Sequence, residues 1–391
     1  MKKGKFNLIV LLKNTLLFTS IILLNLNVYS QDIIPGSERI TTYISKLYNK
    51  NIAIVANNTS IVRNKNSKIH LIDTLLKSGI VVKKIFSPEH GLFGDKDDGE
   101  KIENGLYKNI EVISLYGKKR KISDNDMQEI DIIIFDIQDV GVRFYTYLST
   151  LHYTMEAASR NNKKIIILDR PNPNSFYIDG PVLEDKNISF IGLHPVPIVY
   201  GMTIGEYGKM INGEGWLENK TKADLEVIKI KNYNHGLKYE PPVRPSPNLP
   251  NLQSIYLYPS LAFLEKTEVS VGRGTNIQFQ IYGHPDFKND FSFIPSPNFG
   301  SKYPKLNGKL SFGEDLRDYE TKGMIELKWL ISSFNQISDK KKFFRNDFDK
   351  LSGTSNLKKQ IIDGMSEFEI RESWNDGIEK FKKIRKKYLL Y

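Results

Sequence analysis

The run Ile132-Ile133-Ile134-Phe135, followed at once by Asp136-Ile137-Gln138-Asp139-Val140-Gly141-Val142-Arg143, decides the fold. Four consecutive large apolar side chains leave no polar face. A strand built from them must be covered on both sides, as in a parallel sheet flanked by helices. The switch to acids, an amide and Gly marks the strand's end. The same pattern recurs on either side, in Asn51 to Ala56 (NIAIVA), Val81 to Phe86, Glu111 to Leu115 and Lys164 to Leu168 (KIIIL). Helical spacing over His70 to Ser78, closed by Gly79, and over Leu148 to Asn161 alternates with these runs. The chain therefore reads as α/β, with a Rossmann-like parallel-sheet N-terminal domain over 31–235.

Pro241, Pro242, Pro245, Pro247 and Pro250 crowd the next passage, which excludes helix and central strand. It reads as a linker or extended crossover over 236–250. Beyond it, Thr275 to Tyr282 is expected as a strand, Ile325 to Gln336 as a helix, and Ser366 to Leu390 as one long amphipathic helix. These define a smaller α+β C-terminal domain over 251–391.

The chain has 391 residues, 40% of them hydrophobic, and no Cys. That excludes disulfides, thiolate metal sites and Cys nucleophiles, so the fold must rest on its core. Residues 1–30 read as a signal peptide: Lys2, Lys3 and Lys5 precede an apolar run from Leu16 to Leu26, and Val28-Tyr29-Ser30 offers a cleavage site before Gln31. The rival is an uncleaved anchor, opposed by Lys13 and the shortness of the apolar centre. A periplasmic or secreted protein, without stable membrane insertion after cleavage, is expected. Removing the four lysines of residues 1–30 lowers the formal net charge from +11 to +7. The remaining lysines form no stripe with aromatics, and an exported chain has little access to nucleic acid, so no such partner is expected. Oligomeric state is not encoded legibly.

Three polar clusters follow the clearest strands: Ser87-Pro88-Glu89-His90-Gly91, then Asp136 to Arg143, then Asp169-Arg170-Pro171-Asn172-Pro173-Asn174. In an open parallel sheet all three lie along the carboxyl edge, where ligands bind. Asp and Asn at strand ends also serve as turn formers and helix caps, and that reading fits Asp95, Asp98 and Asn174. Asp136 and Asp169 fit either role. Glu89 is a poor turn former between Pro and His after a buried strand, where desolvation favours a protonated carboxyl.

No G-x-G-x-x-G follows the first strand, and neither a P-loop nor a G-x-S-x-G elbow is present, so neither a dinucleotide cofactor nor a serine nucleophile is expected. Metal binding through His90, Asp95, Asp136 and Asp139 is a rival reading without compact ligand spacing, and no metal is expected. Carboxylates, Asn, Arg and aromatics without a nucleophile motif fit carbohydrate chemistry.

At these motifs the sequence resembles the bacterial exo-β-N-acetylmuramidases, a family long catalogued as a domain of unknown function. The matching segments are residues 86–91, 135–147, 168–173, 179–181, 201–206, 245–248, 272–275 and 385–391. Departures are Val271 where many relatives carry Glu, Tyr200 where they carry His, and Val243-Arg244 where they carry an aromatic. The resemblance implies a site between two domains and release of terminal N-acetylmuramic acid from the non-reducing end of peptidoglycan-derived glycans. Within it, Glu89 is expected as proton donor and His90 as its supporting residue. Asp139, Glu206 or the substrate's own acetamido group is expected as the second group. Asp136, Gln138, Arg143, Tyr145, Arg170, Asn172 and Arg273 are expected to bind substrate, with Arg143, Arg170 or Arg273 reading the lactyl carboxylate. A structural ion pair is the competing role for each Arg. The rival class is a wall-glycan binder that has lost catalysis.

Overall fold

The isoleucine run forms the middle of a seven-stranded sheet in the computed structural model, which describes residues 32–64, 67–97, 100, 103–117 and 119–391. The expected leader, residues 1–30, and Asp98 lie outside the described residues. The chain forms β1 (Asn51–Ala56), β2 (Ile61–Asn64), β3 (Ser67–His70), β4 (Val81–Ser87), β5 (Gly105–Tyr107), β6 (Ile110–Ser114), β7 (Ile132–Asp136), β8 (Lys164–Leu168) and β9 (Asp224–Ile228). The main sheet runs β5-β6-β4-β1-β7-β8-β9, while β2 and β3 pair apart from it as a hairpin. Only the β5–β6 pair of the main sheet is antiparallel. Numbered among themselves in chain order, the six parallel strands stand 3-2-1-4-5-6, the Rossmann order.

Alternation explains why every residue of β7 is buried. Ile133 and Phe135 enter one core with residues of the helices Tyr147–Arg160 and Ile204–Gly213. Ile132 and Ile134 enter a second core with residues of the helix Leu71–Lys77. Beyond the main sheet, β10 (Ile281–His284), β11 (Phe291–Phe293) and β12 (Ser311–Asp315) make a small antiparallel sheet of order β10-β12-β11. Among the described residues no helix is long and apolar enough to cross a membrane.

Two expected elements differ. The strand expected over Thr275 to Tyr282 begins only at Ile281. Gly272 and Gly274 take positive φ, Thr275 N–H bonds Gly272 O at 3.0 Å, and Phe279 itself has φ 54°, which turns its ring into the core. The long helix expected over Ser366 to Leu390 is two, Glu367–Glu372 and Asn375–Arg385. The break lets Ile370 and Trp374 on one side, and Ile378 and Phe381 on the other, reach the same core. The helix Ile204–Gly213 escaped the sequence reading although its signal was present. Thr203 and Glu206 form a capping box, the T-x-x-E signature of a helix start.

Candidate active site

A cavity of about 710 Å³ opens outside the carboxyl ends of β4, β6 and β7. It falls within the ~300–1,000 Å³ typical of small-molecule sites. Glu89 and His90 reach it from the end of β4, Tyr116 from beyond β6, and Tyr145, Thr146 and Tyr147 from beyond β7. Ser246 and Asn248 of the Pro-rich passage, with Glu265, Lys266, Arg273, Tyr303, Lys305 and Arg345, close the far side.

Glu89 is partly buried, and Thr146 Oγ1 donates to its Oε2 at 2.6 Å. That bond fixes the carboxyl against an aromatic wall. Tyr145 and Tyr147 meet edge to face at 4.7 Å, and Tyr258 packs on Tyr145 at 6.1 Å. Both phenols donate to Pro245 O, at 2.8 and 3.3 Å, tying β7's loop to the Pro-rich passage. Burial pushes both phenols well above their usual range, so they stay neutral donors.

His90 sits at φ 70°, the left-handed region that a side chain rarely adopts, and Gly91 follows at φ 75°. Its Nδ1 lies 2.8 Å from Lys96 O, a pure acceptor, so Nδ1 carries the proton. Nε2 then faces the Ser246 hydroxyl at 3.4 Å. The imidazole thus pins the loop after Glu89 to the Pro-rich passage.

Arg273 lines the cavity with its guanidinium 5.5 Å from the Phe279 ring centre, and its Nε and Nη2 donate to Glu265 at 3.2 and 2.6 Å. Beside it, Lys305 Nζ is held by the carbonyls of Leu264, Thr267 and Val269 at 3.0, 2.6 and 2.9 Å, and burial lowers its pKa to about 8. Six cationic side chains and four carboxylates line the cavity, a balance that favours an anionic ligand.

The remaining candidates stand behind the wall. Asp136 and Arg170 form a fully buried two-pronged pair, Nε to Oδ1 at 2.6 Å and Nη2 to Oδ2 at 2.9 Å. Arg143 donates to the backbone carbonyls of Pro181, Val196, Leu351 and Ser352, and burial lowers its pKa to about 9. These bonds draw segments more than 200 residues apart together. Gln138 donates to Asp139 O and Pro171 O, both at 2.7 Å, and Asn172 to Met202 O at 2.8 Å.

Asp139 accepts from Gly141 N at 2.7 Å and from the buried Tyr200 hydroxyl; burial raises its pKa to about 6. Gly141 has φ 79°, and a Cβ there would strike Asn172. Glu206 is fully buried, accepting from Leu390 N at 2.7 Å, with His235 Nε2 at 2.8 Å. Asp136, Gln138, Arg143, Arg170 and Asn172, expected to bind substrate, and Asp139 and Glu206, expected as catalytic groups, are all buried, and none of them lines this cavity. Of the expected site residues, Glu89, His90, Tyr145 and Arg273 line the cavity. Among the described residues, no group of three His, Cys, Asp or Glu side chains converges as a metal site.

Thr146 and Tyr147 lie beyond the strand-end cluster Asp136 to Arg143, at the end of the family-matching segment 135–147. Glu265 and Lys305 carry no local signal, because each owes its position to chain brought in from elsewhere.

The carboxyl edge of the Rossmann-ordered sheet thus carries a half-buried carboxyl, an aromatic wall and an excess of cationic side chains, groups suited to holding an acidic sugar. The chain belongs to the exo-β-N-acetylmuramidase NamZ family, whose N-terminal model matches residues 52–253 and whose C-terminal model matches residues 256–391. A Bacillus subtilis relative described as peptidoglycan β-N-acetylmuramidase NamZ is 33% identical, over 89% of each chain. Two crystal structures of DUF1343 family proteins from Bacteroides fragilis share the fold. One is 43% identical with a TM-score of 0.85, the other 27% identical with 0.79. Each match covers 92% of this chain and 99% of the other. The family makes this chain a glycosidase.

Proposed function

We propose that this protein releases N-acetylmuramic acid from the non-reducing end of peptidoglycan-derived glycans outside the inner membrane, with Glu89 as proton donor. The observation that carries the reading is Glu89 itself, the carboxyl fixed by Thr146 at the end of β4 and facing the cavity. Glu89 gives its proton to the glycosidic oxygen as the C1–O bond breaks. Asp139 and Glu206 stand behind the wall, and Asp97, Glu265 and Asp347 at the cavity are held by Lys302, Arg273 and Lys266. The group that attacks C1 is then the substrate's own acetamido oxygen. The Glu89 carboxylate next takes a proton from water, which opens the bicyclic oxazolinium and restores the amide. His90 positions Glu89 by holding its loop.

A proton NMR time course on a muramic-acid-capped glycan tests both parts. Free N-acetylmuramic acid is expected, appearing first as the β anomer. Early α anomer would overturn acetamido participation, and absence of the free sugar would overturn the function. The same rate after exhaustive chelation is expected; its loss would favour the metal-dependent rival. The mature protein is expected in the periplasm or medium with Gln31 at its N-terminus, read by fractionation and N-terminal sequencing.

Of the three arginines considered, Arg273 lines the cavity, so it takes the role of reading the lactyl carboxylate, held in aim by Glu265. Arg273→Lys keeps the charge but loses the planar fork, and should lower the kcat/KM preference for muramide over glucosaminide by roughly tenfold. An unchanged preference would remove Arg273 from that role.

A further inference from the structure

We propose that Tyr303 is the platform on which the leaving sugar of the glycan stacks, which makes it a specificity-determining residue; the inference rests on the reading of the cavity as the glycosidase site. Tyr303 lines the cavity, yet it is 93% exposed. In an exo-acting pocket the terminal sugar is enclosed and the rest of the glycan leaves through the mouth. A lining ring this exposed stands at the mouth, on the outgoing chain's path.

The backbone beneath the ring is fixed. Asn298 and Ser301 exchange backbone hydrogen bonds at 3.0 and 3.2 Å, Asn298 Nδ2 donates to Thr275 O at 2.8 Å, and Asn248 Nδ2 donates to Gly300 O at 2.7 Å. Gly300 has φ 90° and lies so close to Pro247 that a Cβ would approach it to 2.8 Å. A rigid lip thus presents an uncovered ring.

The lip is also tied to the acid's own loop. Lys302 N donates to Asp97 Oδ2, Lys302 Nζ lies 2.8 Å from Glu100, and His90 bonds Lys96 through its ring and its carbonyl. A general acid must stand beside the leaving oxygen, so a platform anchored to its loop sits on the leaving-group side. Tyr116, Arg120 and Phe190, with the Arg120 guanidinium 4.3 Å from the Phe190 ring centre, also line the cavity and supply further planar surfaces. A cavity of 710 Å³ takes a ligand of disaccharide size. The apolar C–H face of an N-acetylhexosamine covers a tyrosine ring without requiring its hydroxyl.

The test compares a muramic-acid-capped glycan with β-muramyl fluoride, whose leaving group has no face to stack. Tyr303→Ala should lower kcat/KM on the glycan by about 5- to 20-fold, mainly through KM, and leave the fluoride unchanged. Tyr303→Phe and Tyr303→Trp should keep the glycan rate. Equal losses on both substrates would place Tyr303 against the muramic ring and overturn the proposal, as would no loss on either. A Tyr303→Phe variant as poor as Tyr303→Ala would overturn stacking in favour of the hydroxyl. Wild-type protein inert on both substrates would overturn the glycosidase reading itself, and the platform with it.

Discussion

Glu89→Gln is expected to lower turnover of a muramic-acid-capped glycan by ~10²- to 10⁴-fold, the usual loss on removing a positioned general acid. The amide matches the carboxyl in shape and still accepts from Thr146 Oγ1, so the aromatic wall and the His90 loop should remain in place. What it lacks is the acidic proton. A sugar leaving group departs as a poor alkoxide unless protonated, whereas a dinitrophenolate departs without help. The loss should therefore be much smaller on a dinitrophenyl β-muramide. Comparing kcat/KM on the two substrates, which reads only the steps up to departure of the leaving group, separates the roles. Equal losses would assign Glu89 to the step that attacks C1, and wild-type rates on both would remove it from the reaction.

Arg170→Met should cost about 3–5 kcal/mol of folding stability, read as a lower urea midpoint at unchanged slope. Asp136 and Arg170 are both shut away from water, and the guanidinium also donates to Ser37 Oγ and Ile61 O at 3.1 Å. Burial alone drives the Asp136 pKa upward, and the Arg170 charge opposes it. Without Arg170 the carboxyl is left unpaired in a dry site. Replacing both partners, Asp136→Leu with Arg170→Met, should recover much of the loss, since no charge then remains to desolvate. A single-variant cost below about 1 kcal/mol would show that water reaches the pair.

The same pair marks how far local sequence carries an interpretation. Its two residues follow β7 and β8 as strand-end polar groups, and that much the apolar runs announce. Whether such a group faces a ligand or the interior is another matter. Arg143 points into a cage of four carbonyls whose most distant members, Leu351 and Ser352, lie more than 200 residues along the chain. Glu206, expected from the family resemblance as a candidate second group, is enclosed by Leu390 N and His235. Glu89 was legible because its position follows from one strand and one turn, and the cavity it faces lies where parallel sheets place ligands.

By itself the sequence determined the layered parallel sheet, the alternation of its buried strands with helices, and the edge on which the strand-end polar groups stand. Burial of a continuous apolar run is a property of neighbours in the chain, so local composition suffices to fix it. Only the tertiary structure decided which strand-end side chains line the cavity and which serve the frame. It alone brought Arg273, Glu265 and Tyr303 to the cavity that Glu89 lines. A buried polar group must find its partners wherever the folded chain supplies them, and those partners come from segments with no sequence relation to it.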